Sequence, residues 1–158
     1  MTSDHPPPTE ELSLVDALAQ LSFLVQGTLA EIAGRHDLSV IQIRLLGVLR
    51  DREPTMNALG RHLGLDKSSI SGLVDRAQRR GLVTRTVSAS DRRVYQGSMT
   101  DAGRRLAGLV AAEFNARVET LVAPLPAADQ RLLARLAARA VVADTERRGG
   151  LEPGATPG

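Results

Sequence analysis

The six positions from 67 to 72 hold Lys67, Ser68, Ser69, Ser71 and Gly72 around one apolar residue. Short hydroxyl side chains, a bare glycine and one long cation suit the edges of base pairs in a duplex groove about 12 Å wide. Arg76, Arg79 and Arg80 follow on the same predicted helix, with the reach for phosphates. Asp91, Arg92 and Arg93 fall at a predicted hairpin tip, from which a guanidinium can enter the narrower minor groove. Both groups therefore carry the chemistry of duplex recognition.

The charge distribution agrees. The 158-residue chain has a net charge of only +2, and Lys67 is its sole lysine among 20 cationic residues. Between positions 54 and 105, however, ten cations stand against four anions, a net +6, so the flanking regions are net negative. Such concentration is what counterion release from a polyanion requires. Other chemistries lack their parts. There is no cysteine, which removes disulfides, thiolate metal sites and thiol redox sensing. The three histidines (His5, His36, His62) are too scattered for a metal cage, and no cofactor is expected. Three aromatic residues (Phe23, Tyr95, Phe114) are too few for single-strand stacking platforms. No nucleophile elbow or glycine-rich phosphate loop occurs, so no enzyme is expected. No apolar run reaches about 18 residues and the start is acidic and Pro-rich, so the expectation is a cytoplasmic protein without membrane contact.

The elements that must position these residues are mostly helical. Leu14, Leu18, Leu21, Val25, Leu29 and Ile32 recur at steps of three and four, predicting a helix over 12–34 with Gly34 at its end. Ser39 caps a second, more buried helix through Leu49. Thr55 opens a short helix broken by Gly64, and Asp66 opens another stopped by Gly81. The β-branched segment 83–87 and segment 94–99, joined by the polar SASDRR, predict a hairpin. Thr100 caps a helix running to about 122; Pro126 begins a last one carrying Leu132, Leu133, Leu136, Ala140 and Val141. The fold class is mainly α with a small β-hairpin, and two short helices followed by a hairpin make a winged helix-turn-helix.

These residues carry a resemblance. LDKSSISGLVDRAQRRGLVTR followed by SASDRRVYQGSMTDAGRRL resembles the MarR family of bacterial transcriptional regulators, over roughly residues 12–148. The resemblance implies a homodimer whose first and last helices form a helical dimerisation domain. It implies two winged lobes on pseudo-palindromic double-stranded DNA, with Asp91 steadying the wing arginines and Arg93 entering the minor groove. It also implies a cleft for a small organic effector that releases DNA. The sequence departs from the family in places. Ala77 and Gln78 stand where LVDRLE is common, Gly72 stands where some members place a base-contacting side chain, and Leu125 precedes Pro126 in place of a Ser or Thr cap.

The resulting expectations are specific. Residues 1–9 and 149–158 read as disordered tails, 10–52 with 100–148 as the dimerisation region, and 53–99 as the DNA-binding lobe. Lys67, Ser68, Ser69, Ser71, Gly72, Arg76, Arg79, Asp91, Arg92 and Arg93 are the DNA-binding candidates. Phe23, Gln26, His36 and Arg44 are the effector candidates, His36 and Arg44 offering a cationic pair to a carboxylate. Plain alternatives stand beside these: a capped helix start for 66–71, a solvated turn for 91–93, a polar helix end for His36. The whole reads as a sequence-specific regulator, a repressor by expectation; the alternative is a winged-helix protein-interaction module without DNA binding.

Overall fold

A computed structural model describes residues 12–147. The expected tails at 1–9 and 149–158 lie outside the described residues. Among the described residues eight elements follow in order: α1 (Leu14–Arg35), α2 (Val40–Leu49), α3 (Met56–Leu63), α4 (Lys67–Arg79), β1 (Val83–Val87), β2 (Tyr95–Met99), α5 (Asp101–Val122) and α6 (Ala127–Arg147).

Local chemistry starts most of them. Ser39 and Gln42 form a reciprocal capping box on α2. Thr55 Oγ1 accepts from Ala58 N at 3.2 Å, Asp66 Oδ1 from Ser69 N at 2.7 Å and Thr100 Oγ1 from Gly103 N at 3.0 Å. α3 and α4 both end on a left-handed glycine, Gly64 and Gly81, each with φ of 69°. In both, the next residue's N–H reaches back to the carbonyl five before it, Leu65 to Gly60 and Leu82 to Ala77.

The end of α1 corrects the sequence expectation. Gly34 does not stop the helix. It continues to Arg35, and Asp37 takes the left-handed position with φ of 53°. Leu38 N then bonds Ala33 O and Asp37 N bonds Gly34 O, the same motif built without glycine. Asp is one of the few residues that tolerate this conformation. Pro126 also sits one residue earlier than expected: it precedes α6, and its carbonyl accepts from Asp129 N and Gln130 N.

β1 and β2 pair antiparallel with Val83 opposite Met99 and Val87 opposite Tyr95. The segment before α3 adds to the β2 edge, with a Thr55–Gln96 bridge, Gly97 N bonded to Pro54 O and Ser98 Oγ bonded to Glu53 Oε1 at 2.7 Å. The core joins Ile32 of α1, Leu45 of α2, Leu59 of α3, Leu73 and Val74 of α4, and Val83 of β1, all below 2% exposed. Each such burial stabilises the fold by about 1.5–3 kcal/mol. It also fixes α3, α4 and the hairpin as one body. α6 contributes no buried residue.

Candidate nucleic-acid interface

The candidate reading face, on the reading helix α4, begins with that helix's cap. Asp66 holds the Ser69 amide and, at 2.9 Å, the Ser68 hydroxyl. The Ser69 backbone bond, then the Ser68 hydroxyl, hold the Asp66 carboxyl below its ordinary pKa. The helix start is thereby capped while Lys67, Ser68 and Ser69 stay exposed. Ile70, Leu73, Val74 and Ala77 are buried on the opposite face, so the apolar stripe sets which side chains point outward. Gly72 lies beneath the Arg76 guanidinium: a Cβ there would come 3.3 Å from Arg76 Nη1.

The wing is a tight, self-bonded tip. Ser88 N bonds Val94 O at 2.8 Å and Val94 N bonds Asp91 O at 3.0 Å. Asp91 Oδ1 accepts from Arg93 N at 2.9 Å and lies 3.6 Å from its Nε. The Arg93 side chain is otherwise 93% exposed. Arg92 is also exposed.

Reading helix and wing meet on one side of the molecule. A cleft of about 1010 Å³ has Lys67, Ser71 and Gln78 of α4 on one wall and Arg93, Val94 and Tyr95 of the wing on another. Met56, Asn57 and Arg61 of α3 close it. Four cations line it: Arg61, Lys67, Arg85 and Arg93. Arg76 and Arg79 are exposed farther along α4.

Two arginines counted with the basic unit have other partners. Arg85 of β1 binds Asp75 Oδ1 at 2.7 Å and donates to Ser71 O and Oγ at 3.1 and 3.2 Å. It ties the strand to the middle of α4 and occupies the Ser71 hydroxyl. Arg80 was expected to reach phosphate. It donates instead to the carbonyls of Asp37 and His36 in the α1–α2 turn. No short-range signal marks either pairing, since the partners lie 10 and 14 residues away for Arg85 and more than 40 away for Arg80.

Of the effector candidates, Phe23 and Gln26 lie on α1, His36 is its C-cap residue and Arg44 lies on α2. His36 Nε2 pairs with Glu113 Oε1 of α5 at 3.1 Å, and Arg35 holds the other oxygen at 2.9 Å. Hydrogen bonding from Arg35 depresses the Glu113 pKa, with His36 adding to it. Gln26 bonds Ser22 along α1 and Phe23 is exposed. Phe23 precedes His36 by 13 residues, about 20 Å along a helix axis. Arg44 is exposed on α2; burial first, then Arg52 and Arg44, lowers the pKa of His62 on α3. Among the described residues, no group of three His, Asp or Glu is placed to hold a metal, and no helix is long and apolar enough to cross a membrane.

Residues 36–94 match the MarR family. No curated protein matches the sequence. A MarR-family transcriptional regulator from Rhodococcus sp. RHA1 is 27% identical, over 78% of this chain and 91% of that one, with a TM-score of 0.66. The S. aureus MepR–DNA complex shares the fold at 20% identity, over 84% of this chain and 99% of that one, with a TM-score of 0.68. CouR from Rhodococcus jostii RHA1, bound to p-coumaroyl-CoA, does so at 24% identity over 78% and 88%, with a TM-score of 0.65. The family match spans the turn after α1, α4 and most of the wing, and the helices around them follow those of a MarR-family transcriptional regulator; over 36–94 the chain is similar to the MarR family, and its fold is the winged-helix fold of that family's solved members.

Proposed function

We propose that the chain acts as a homodimeric, sequence-specific regulator of transcription, a repressor on pseudo-palindromic double-stranded DNA that a small organic effector releases. One observation carries the DNA reading: Lys67 of the reading helix and Arg93 of the wing line the same cationic cleft. Lys67, Ser68, Ser69, Ser71 and Gly72 would face the major groove. Arg76 and Arg79 would meet phosphates, and Asp91 would hold the backbone from which Arg92 and Arg93 reach the minor groove. Because Ser71 already serves Arg85, its part in base contact is the smallest of these.

Surface chemistry supports the dimer. Leu14, Leu18 and Phe23 of α1, Leu109 of α5 and Leu136 and Val141 of α6 are all exposed. An apolar surface of this extent asks for a partner, and a second copy answers with the same helices by two-fold symmetry. Residues 10–52 and 100–148 are then the dimerisation region and 53–99 the lobe. A small-molecule effector is supported by CouR, whose structure holds p-coumaroyl-CoA. An anionic ligand reaching His36 has to displace Glu113. The proposal makes the chain a non-catalytic, cytoplasmic protein.

A gel shift on the DNA upstream of its own gene, at two salt concentrations, tests the reading. Binding should weaken steeply with salt, and Arg93→Ala should weaken it at least tenfold while lowering the log–log salt slope by about 0.9. A chain ending at residue 125 should sediment as a monomer or unfold. Arg93→Ala binding as tightly as the wild type refutes the wing assignment. Salt-independent capture of a protein partner, with no duplex bound, favours the interaction-module alternative.

A further inference from the structure

The turn between α1 and α2 is held from two sides. From α5, Glu113 takes Arg35 Nε at 3.2 Å, Arg35 Nη2 at 2.9 Å and His36 Nε2 at 3.1 Å. From the end of α4, Arg80 places one terminal nitrogen on Asp37 O and the other on His36 O, the latter at 3.3 Å. Those carbonyls are presented by the left-handed Asp37, whose φ is 53°. Through this turn the last residue of the reading-helix segment is bonded to the helices that carry the proposed dimer.

We propose that Arg80 is a positioning residue. It anchors the C-terminal end of the reading helix and, with Glu113, sets the separation between the two reading helices and so the half-site spacing of the operator. This rests on the dimeric DNA-binding reading above. The lever supports it. The 13 residues of α4 span about 20 Å, so Arg80 stands at the opposite end from Lys67 and Ser69. A pivot of about 10° at the anchor moves the reading end by about 3.4 Å, one base-pair step. Each symmetric half-site is spaced by rigid geometry, so an anchor that yields by this much cannot discriminate neighbouring spacings. Arg80 is exposed, as are Arg76 and Arg79, but has both terminal nitrogens on carbonyls of the α1–α2 turn.

The test uses the full chain and its upstream operator, with the half-site spacing changed by one base pair either way. The wild type should prefer its own spacing at least tenfold. Arg80→Met should reduce that preference to threefold or less with the salt slope unchanged, and Arg80→Lys should recover part of it. Glu113→Ala should act in the same direction, and the double variant should be no worse than the worse single one. A salt slope lower by about 0.9 with the spacing preference intact makes Arg80 a phosphate ligand and overturns the proposal. Spin labels on Ser69→Cys and Ala112→Cys, in a chain with no other cysteine, read the anchor without DNA. Arg80→Met should broaden their distance distribution. If the wild type binds no duplex, the DNA reading falls, and this distribution alone decides the anchor: broadened sustains it, unchanged overturns it.

Discussion

Gly103→Ala is expected to destabilise the fold by about 3 kcal/mol, although alanine is the better helix former. A Cβ at position 103 would stand 2.0 Å from Leu82 O and 2.7 Å from Met99 Cγ, where ordinary contact begins at 3.4 Å. Leu82 O is backbone and already accepts from Thr100 N at 3.1 Å. Relief therefore needs a movement of about 1.4 Å between the start of α5 and the residue leading into β1, not a rotamer change. Overpacking of a rigid site costs about 1–3 kcal/mol, with the upper end apt for a backbone obstacle. Losing the Thr100–Leu82 bond adds about 1 kcal/mol, and the helix-propensity gain returns about 1 kcal/mol. Gly47→Ala is the control, because nothing lies within 4 Å of its added Cβ and α2 surrounds it. That change should stabilise by about 0.5–1 kcal/mol. Urea unfolding at one fixed protein concentration measures both, the concentration being held because a dimer couples assembly to stability. If Gly103→Ala unfolds within about 0.5 kcal/mol of the wild type, the close approach of α5 to the hairpin is wrong.

Three further outcomes are expected. Asp37→Gly should raise stability by about 0.5–1 kcal/mol, since glycine adopts the φ of 53° without a Cβ penalty, and Asp37→Val should lower it; thermal melts show either failing. Burial, then Arg52 and Arg44, lower the His62 pKa from its ordinary 6.5, so the fold favours the neutral ring. Its contribution is complete above pH 6.5 and is lost as pH falls through the depressed value, and His62→Gln should flatten that part of the stability profile. Glu113, depressed below 4.5 chiefly by Arg35, behaves likewise at lower pH: its contribution is complete above 4.5 and is lost on acidification beyond that. Finally, Arg85→Met and Asp75→Asn should be non-additive by about 1 kcal/mol in a double-mutant cycle, the figure allowing for solvent at the half-exposed carboxylate; additive losses would mean the 2.7 Å ion pair contributes nothing.

The starts of α2, α3, α4 and α5 were legible in the sequence because a cap acts over three residues: Ser39, Thr55, Asp66 and Thr100 each meet an amide that near. Gly64 and Gly81 were legible for a similar reason, since a left-handed turn at a helix end is a property of one residue. The +6 charge of positions 54–105 is also written in the chain alone. What composition and spacing leave open is the direction in which each arginine points. Arg76, Arg80, Arg85 and Arg93 are chemically identical, yet one is exposed on α4, one bonds a turn more than 40 residues away, one clamps α4 to β1 and one projects from the wing. Asp37 likewise takes a glycine's conformation one turn past Gly34, because the buried Leu38 must bond back to Ala33 and enter the core. Partners such as Glu113 and His36, 77 residues apart, meet only when packing of apolar faces brings α1 and α5 together. Local hydrogen bonds choose the elements; burial chooses their mutual placement, and that placement decides which cations remain available to a duplex.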